Sequence, residues 1–565
     1  MKTTRHLRPH LTRRRFVTGI VSASALASIG PYGRLAWGNT SDAELSGTQF
    51  DLEVAPLPVN FTGNDSTATA VNGLVPGPVL RIKEGDSVSI RVTNRLPEMT
   101  TIHWHGIILD AEMDGVPGIS FPGIAPGETF VHRFKAVQSG TYWYHAHTLH
   151  EQTGSYGALI IEPRDTSGEP RVDRDYPVLL SDWTDENPVD VYLNLKKMGG
   201  YYNYRRLTVG DFIDDTKLLG MGTAISKRRI WNRTRMSPND FSDVSAATYT
   251  YLMNGTSPAG NWTGLAKKGE RVRLRFIGAG TATYFDVRIP GLKMTVISTD
   301  GQRVHPVVVD EFRVGAGETY DVLVDMPDDK PHTIFAQSMD RSGYARGTLT
   351  PRPGTEGVVP PLDPPVLLEP IDMMGAMAQS GGMGGMAGAM AINRPNHART
   401  EYGPGVDMRV DNPRVNLDDP GAGLRDNGRR VLTYEDLKSI EAPTDARTPS
   451  REIELHLTGN MERFIWSIDG LKLNEAKPLH FPKGERIRVV LHNDSTMAHP
   501  MHLHGMWSDL ESPDRQFQVR KHTISVQPAQ RVSMLVTADA EGRWAFHCHL
   551  LYHMAAGMFR EVVVA

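Results

Sequence analysis

The stretch Lys83-Glu84-Gly85-Asp86-Ser87-Val88-Ser89-Ile90-Arg91-Val92 recurs twice further along the chain. The second copy reads Lys268-Gly269-Glu270-Arg271-Val272-Arg273-Leu274-Arg275-Phe276, and the third Lys483-Gly484-Glu485-Arg486-Ile487-Arg488-Val489-Val490. Each is a glycine turn followed by alternating apolar and polar residues, the pattern of a half-buried strand. A turn lies upstream of every copy, at Asn72-Gly73, Asn254-Gly255 and Asp469-Gly470. Downstream, Pro126-Gly127-Glu128-Thr129-Phe130 matches Ala316-Gly317-Glu318-Thr319-Tyr320, with Pro528-Ala529-Gln530-Arg531-Val532 as a looser third. The economical reading is an all-β chain of three similar units, each of sandwich size.

Composition agrees. At 565 residues the chain is too long for one hydrophobic core, and 54 Gly and 38 Pro suit a protein of many turns. A net charge of −4 with His neutral calls for neither nucleic acid nor an anionic membrane as partner. Cys548 is the sole cysteine, so no internal disulfide can form.

The repeat spacing puts the units at 45–165, 170–350 and 431–565. Ahead of them, Thr12-Arg13-Arg14-Arg15-Phe16-Val17 leads into an uncharged, mostly apolar run from Phe16 to Ile29. That is the pattern of a twin-arginine signal peptide, assigned to 1–36, and it predicts export of the folded protein to a bacterial periplasm by the twin-arginine machinery. The run is shorter than the roughly 20 residues that span a bilayer. Residues 351–430 combine a Pro-rich stretch, a Gly/Met/Ala segment and a polar run, a composition that predicts a mobile linker.

Four histidine motifs carry the chemistry: His103-Trp104-His105-Gly106, His145-Ala146-His147, His499-Pro500-Met501-His502-Leu503-His504-Gly505 and His547-Cys548-His549. The first two fall in unit one, the others in unit three, and unit two has none. Residues i and i+2 of a strand share a face, so each His-x-His offers two imidazoles side by side. Facing one another across a domain interface, four such pairs would surround a single cavity with enough ligands for three metals and open positions for oxygen. Cys548 lies between two of these histidines and must face the other way, into the core of unit three, where His499, His553 and Met558 can meet it. Two imidazoles, a thiolate and a weak thioether make a blue-copper electron-transfer site. Isolated His-x-His pairs are ordinary surface features, and zinc is the competing metal, but this many histidines with one cysteine exceed a tetrahedral zinc site several-fold.

These motifs resemble those of the multicopper oxidases, most closely the periplasmic copper-resistance oxidases of the CopA/PcoA type. Glu112-Met113-Asp114-Gly115-Val116-Pro117-Gly118, Gly140-Thr141-Tyr142-Trp143-Tyr144-His145 and the stretches 336–348, 504–510 and 547–560 read like that subfamily. The resemblance implies three cupredoxin-like Greek-key β-sandwich or barrel domains and four coppers. It assigns His499, Cys548, His553 and Met558 to a type 1 copper. His103 and His502 fall to a type 2 copper, and His105, His145, His147, His504, His547 and His549 to a type 3 pair. Asp114 matches an acidic residue that assists proton delivery to oxygen in the family; it also reads as a turn aspartate before Gly115. A second acidic residue, found in some relatives just after the later type 1 histidine, is replaced by Met554.

Methionine points to the electron donor. Thioethers prefer Cu(I) to harder cations, and Met373, Met374, Met377, Met383, Met386 and Met390 fall within one Gly/Ala-spaced segment. The segment reads as a Cu(I) catch or as a plain linker. Asp494, Met497 and Met506 lie near the type 1 ligands and resemble a Cu(I) docking site, with Asp494 one position out of register; Met501 reads as core. Tyr142, Trp143 and Tyr144 are expected in the core, and His150, His305, His480 and His522 are assigned no metal. The expected activity is oxidation of Cu(I) to Cu(II) with reduction of O2 to water, with phenols and catechols as side substrates. The resemblance also suggests a copper-resistance partner in the outer membrane. A laccase with a phenolic donor shares every ligand, and a copper-sequestering protein with incidental oxidase activity is the alternative from another class.

Overall fold

The computed structural model describes residues 43–234, 237–240, 242–378 and 395–565. The signal-peptide expectation and Met383, Met386 and Met390 lie outside the described residues, as does the side chain of Met377. Six sheets form three pairs. In each pair the repeated stretch is the same central strand. Ser87–Asn94 runs parallel to Gln49–Val59 and antiparallel to Thr129–Lys135. Arg271–Gly278 has the same two neighbours in Arg174–Trp183 and Thr319–Asp325. Arg486–Asp494 repeats the pattern with Arg451–Asn460 and Arg531–Thr537. The upstream turns repeat too: Asn72, Asn254 and Asp469 have φ of 51°, 49° and 54°, each followed by a glycine of positive φ. A left-handed pair of this kind suits only Asn or Asp followed by Gly without strain.

Each pair buries the alternate apolar residues of its strands, for example Val88, Ile90 and Val92 in the first and Ile487, Val489 and Leu491 in the third. Tyr142, Trp143 and Tyr144 are fully buried, as expected of core residues. Among the described residues no helix is long and apolar enough to cross a membrane.

Two features depart from the sequence reading. First, the second sandwich carries three helices, Pro188–Lys197, Val209–Leu219 and Met221–Thr234. Their start signals are ordinary: the Asn187 side chain accepts from Val189 N ahead of Pro188, and Thr208 and Asp211 form a capping box. Second, the described parts of 351–430, expected to be mobile, are packed. Leu368, Met373, Leu417 and Leu424 are buried. Asp372 pairs with Arg425 at 2.6 Å, and Arg429 with Glu311 at 2.7 Å. Arg414 stitches the segment to the third sandwich, its N donating to Ala529 O and its O accepting from Arg531 N. Few branched apolar residues were mistaken for looseness; the segment is held by arginine–carboxylate pairs instead.

Arg341 ties this segment to the second sandwich. Fully buried, it donates to Asp286 and to Gly423 O, while Arg313 holds the other side of Asp286 at 2.7 Å. Asp286→Ala strands two buried guanidinium groups, and a loss of about 3–5 kcal/mol is expected in equilibrium unfolding. Unchanged stability would show that the network is not needed.

Candidate metal centres

Strand register brings the histidine motifs together. His103–His105 pairs with Gly140–His145 so that His103 faces His145. In the third sandwich His499–Leu503 pairs with Gly542–Cys548, setting His502 opposite His547 and Met501 opposite Cys548. His147 and His504 lie just past these strands, fixed by Thr101 Oγ1 and Ala545 O on their backbone N–H groups. Alternation does the rest: the histidines of the two sandwiches face one another and Cys548 turns inward.

Eight imidazoles converge, all buried. Nε2 of His547 lies 3.2 Å from Nε2 of His147 and 3.0 Å from Nε2 of His504. Nε2 of His549 lies 3.2 Å from Nδ1 of His105, and the His145 ring centroid is 5.0 Å from that of His549. His103 and His502 complete the ring, with centroids 5.8 Å apart. The outward nitrogens are pinned: Nδ1 of His103 by Asp114 O, of His502 by His522 O, of His547 by Cys548 O, and of His145 by Ala146 O. Inward, Nε2 of His103, His145 and His502 is buried without a hydrogen-bond partner. Buried polar atoms rarely stay unpaired, and imidazole nitrogens fixed from behind in this way are the preorganisation a metal requires.

The second set lies within the third sandwich. Sγ of Cys548 is 3.5 Å from Nδ1 of His499 and 3.8 Å from Nδ1 of His553, and the two Nδ1 atoms are 3.1 Å apart. Met558 is fully buried and held beside them, its O accepting from Cys548 N and its N donating to His553 O. The Ser495 hydroxyl holds Nε2 of His499 at 2.7 Å, and Trp466 stacks on His553 with centroids 3.9 Å apart. The donor set, one thiol with two imidazoles and a thioether close by, fits copper.

Desolvation governs the protonation of both sets. Burial, then repulsion from neighbouring imidazoles, drives His105, His147, His499, His502, His504 and His549 far below their ordinary range. They are neutral and competent to ligate at neutral pH. Burial pushes the Cys548 thiol up, so a cation must displace its proton to bind.

Asp114 is buried and bridges the two sandwiches. Its Oδ2 lies 2.9 Å from Nδ1 of His504 and its Oδ1 3.2 Å from Nδ1 of His103. It also enters a turn, since Gly115 has φ of 83° and a Cβ there would strike Ile102 O. The turn reading of this residue is met, and its carboxylate also contacts a histidine of each sandwich.

The Cu(I)-docking residues fare differently. Asp494 is turned away from the cysteine set, its carboxylate engaged by Val410 N and His456. Met506 lines a small cavity with His103, Asp114, His502 and His504, beside the eight-histidine cluster instead. Met373 is buried and Met374 exposed, while Met497 is buried in the loop before His499. Asp494 and Met506 occupied the right sequence neighbourhood, but the strand turn directs them elsewhere.

Two groups escaped the sequence reading, and a third, named there, lies nearer the cluster than its sequence position suggests. Asp243, buried in the second sandwich, puts Oδ2 2.9 Å from Nε2 of His553, although neither atom has an aligned hydrogen bond. Glu151 lies 3.0 Å from Nδ1 of His145, and burial raises its pKa. His522, assigned no metal, sits with its ring centroid 4.8 Å from that of His105. No motif marks them; only His150-Glu151-Gln152, directly after the second His-x-His, gave a positional hint.

A thiol and two imidazoles joined through one strand to a cluster of eight histidines form a donor arrangement suited to several copper ions. Multicopper oxidase family models match residues 53–166, 223–352 and 446–565, and the chain belongs to the multicopper oxidase family. It is 52% identical to a copper resistance protein A homolog of Pseudomonas syringae pv. tomato, over 98% of this chain and 99% of that one. It is 51% identical to copper resistance protein A of Escherichia coli over the same shares. Among solved structures it is similar to Fet3p, a multicopper oxidase that functions in iron import, at 19% identity and a TM-score of 0.64, covering 92% of this chain and 90% of that one. A laccase from Botrytis aclada superposes with a TM-score of 0.61 at 21% identity, over 94% and 91%.

The buried imidazoles make the metal-free fold acid-sensitive. Burial holds His132 and His522 at about 4 and His547 at about 3, against an ordinary 6.5. The unfolded chain therefore takes up protons first as pH falls. Their contribution is complete above 6.5 and is lost on descent toward those values. Thermal melts of copper-free protein should show Tm falling steadily from pH 6.5 to 4, and a flat profile would contradict the assignment.

Proposed function

We propose that this chain is a periplasmic cuprous oxidase of copper resistance, oxidising Cu(I) to Cu(II) and reducing O2 to water with four resident coppers. In this reading His499, Cys548, His553 and Met558 hold the type 1 copper. His103 and His502 hold the type 2 copper, and His105, His145, His147, His504, His547 and His549 the type 3 pair. Bound there, copper supplies one-electron acceptance from the donor and four-electron reduction of dioxygen.

The residues supply the rest. The backbone of His547-Cys548-His549 joins the two ligand sets covalently. Asp114 touches a histidine from each group of the cluster and is the nearest carboxylate able to pass protons toward oxygen. The second acidic position, at Met554, stays apolar; Glu151, against His145, is the other buried carboxylate at the cluster.

The observation that carries the choice of donor is the cover on the type 1 set. His499 and His553 are fully buried, and the outer nitrogen of His553 faces the carboxylate of Asp243. A planar phenol needs an exposed imidazole edge to hand over an electron. A small cation would be drawn by a carboxylate beside that edge, and Asp243, itself buried, is the one against His553. The names of the relatives that are about half identical, copper resistance protein A, support the same reading.

Oxygen uptake by the copper-loaded mature protein should be fast with chelated Cu(I) and slow with a simple phenol; the reverse ranking makes it a laccase, and neglect of both leaves copper sequestration. Asp243→Asn should raise KM for Cu(I) by about 10- to 100-fold, the worth of a charge-assisted contact, and leave phenol turnover within about two-fold. Equal losses on both would reduce Asp243 to a packing role. Cys548→Ser should abolish the intense blue absorption and turnover together, and survival of either would refute the type 1 assignment. Removal of 379–390, which leaves buried Met373 in place, should slow Cu(I) turnover far more than phenol turnover.

A further inference from the structure

Away from both ligand sets, a second cluster of histidines and carboxylates is buried where the 395–402 segment meets the third sandwich. His397 and Glu401 come from that segment, just past the methionine-rich stretch. His456 comes from the strand Arg451–Asn460, and Asp494 ends the strand Arg486–Asp494 paired with it. Four atoms face one another. Glu401 Oε2 lies 2.7 Å from His397 Nδ1 and 3.4 Å from His456 Nδ1. Asp494 Oδ2 lies 2.7 Å from His456 Nδ1 and 3.6 Å from His397 Nδ1. Ligand atoms about 2.0 Å from a tetrahedral ion stand about 3.3 Å apart, so these edges bracket the expected one. The two longer edges fall within the 3.0–3.8 Å spacings of the two ligand sets described above, and the two shorter ones are hydrogen-bond lengths.

Three further observations distinguish this cluster from an ordinary ion pair. Both carboxylates are pinned from behind, Glu401 Oε1 by Ala398 N at 2.8 Å and Asp494 Oδ1 by Val410 N at 2.7 Å, leaving the other oxygen to face inward. Each carboxylate side chain is 1% exposed, yet among the described residues their side-chain ion pairs are only with histidine, never with Lys or Arg. Two buried anions without a permanent cation are costly. Lastly, on the far side of the rings Nε2 of His397 and of His456 makes no hydrogen bond among the described residues, and the stacked His492 there meets only Glu454, at 3.6 Å from its Nε2. Burial opposes charge on His456, but the Asp494 hydrogen bond and the nearby carboxylates outweigh it and raise its pKa, so without metal a proton occupies the place between these groups and an incoming cation must displace it.

We propose that His397, Glu401, His456 and Asp494 form a further metal site for a divalent transition ion, separate from the ligands of the oxidase reaction. Two imidazoles and two carboxylates are borderline-to-hard donors, which suit Cu(II) or Zn(II) and disfavour Cu(I). A dication neutralises the two carboxylates, and the imidazoles then bind it as neutral ligands. Because Asp494 adjoins Ser495, whose hydroxyl holds Nε2 of His499, an ion here also stiffens the loop that carries a ligand of the cysteine set.

The test uses the mature protein carrying its resident copper, titrated with Zn(II) and separately with Cu(II), desalted, and analysed for bound metal. The wild type should retain one further divalent ion per chain, and added Zn(II) should raise its Tm. His397→Ala/Glu401→Gln should bind that ion at least about 100-fold more weakly while keeping its blue absorption and its resident copper. Undiminished binding by this variant would overturn the proposal. Should the variant fail to fold, wild-type crystals soaked in Zn(II) decide the matter: an anomalous peak between His397 Nδ1 and Asp494 Oδ2 supports the site, and its absence at saturating metal refutes it.

Discussion

Because successive side chains of a strand point to opposite faces, the tripeptide His547-Cys548-His549 cannot present all three groups to one cavity. The two imidazoles turn to the interface with the first sandwich, and the thiol turns into the third. From that division follow the rest of the arrangements. His499 and His553 need only reach the sulfur from within one core, whereas the cluster needs histidines from two sandwiches held in register by Asp114, which touches His103 on one side and His504 on the other. The short link between the two sets is therefore a property of strand geometry, with no separate wiring required.

The second sandwich brings no histidine motif, yet the interface depends on it. Asp300 is fully buried and accepts from His522 N and Thr523 N, fixing the strand whose carbonyl pins His502. Buried Lys521 reaches Asp300 at 3.1 Å and Glu318 at 3.3 Å. Asp182 and Gln152 meet at Thr281, joining the first and second sandwiches behind Glu151. Buried charge of this sort is weak stabilisation in itself, but breaking it leaves an unpaired ion, which makes the relative placement of the sandwiches intolerant of slippage. A cluster with ligands spread over two domains requires that intolerance.

Much of this was legible in the residues because it is periodic. The three-fold repeat gave the central strand of each sandwich, and the His-x-His spacing gave shared faces, since both rest on local alternation. What was missed rests on distant approach. Asp243 follows a helical insertion whose caps, Asn187 and Thr208, were readable but whose docking against His553 was not. Asp494 and Met506 were placed by proximity in sequence to His499, and a strand end and a tight turn sent them to other neighbours. The 395–430 segment has few branched apolar residues and so resembled a loose linker, although Val410, Leu417 and Leu424 are buried and Arg414, Arg425 and Arg429 each find a buried carboxylate. Arginine–carboxylate packing has no period, and composition cannot reveal it.

The distribution of donor softness along the chain has a physical logic. Thioethers are concentrated in the stretch from Met373 to Met390, where a soft monovalent ion is favoured. Directly after it come His397 and Glu401, which with His456 and Asp494 favour a divalent ion. The Cys548 set, with a thiol, two imidazoles and a nearby thioether, mixes soft and borderline donors. A cation that loses an electron at such a set becomes harder and is then better held by imidazole and carboxylate than by thioether. In sequence, the first residues of a harder donor set thus directly follow the softer one. On the proposed reading, loss of an electron would by itself shift the preference of a copper ion from the thioether donors to the imidazole and carboxylate donors.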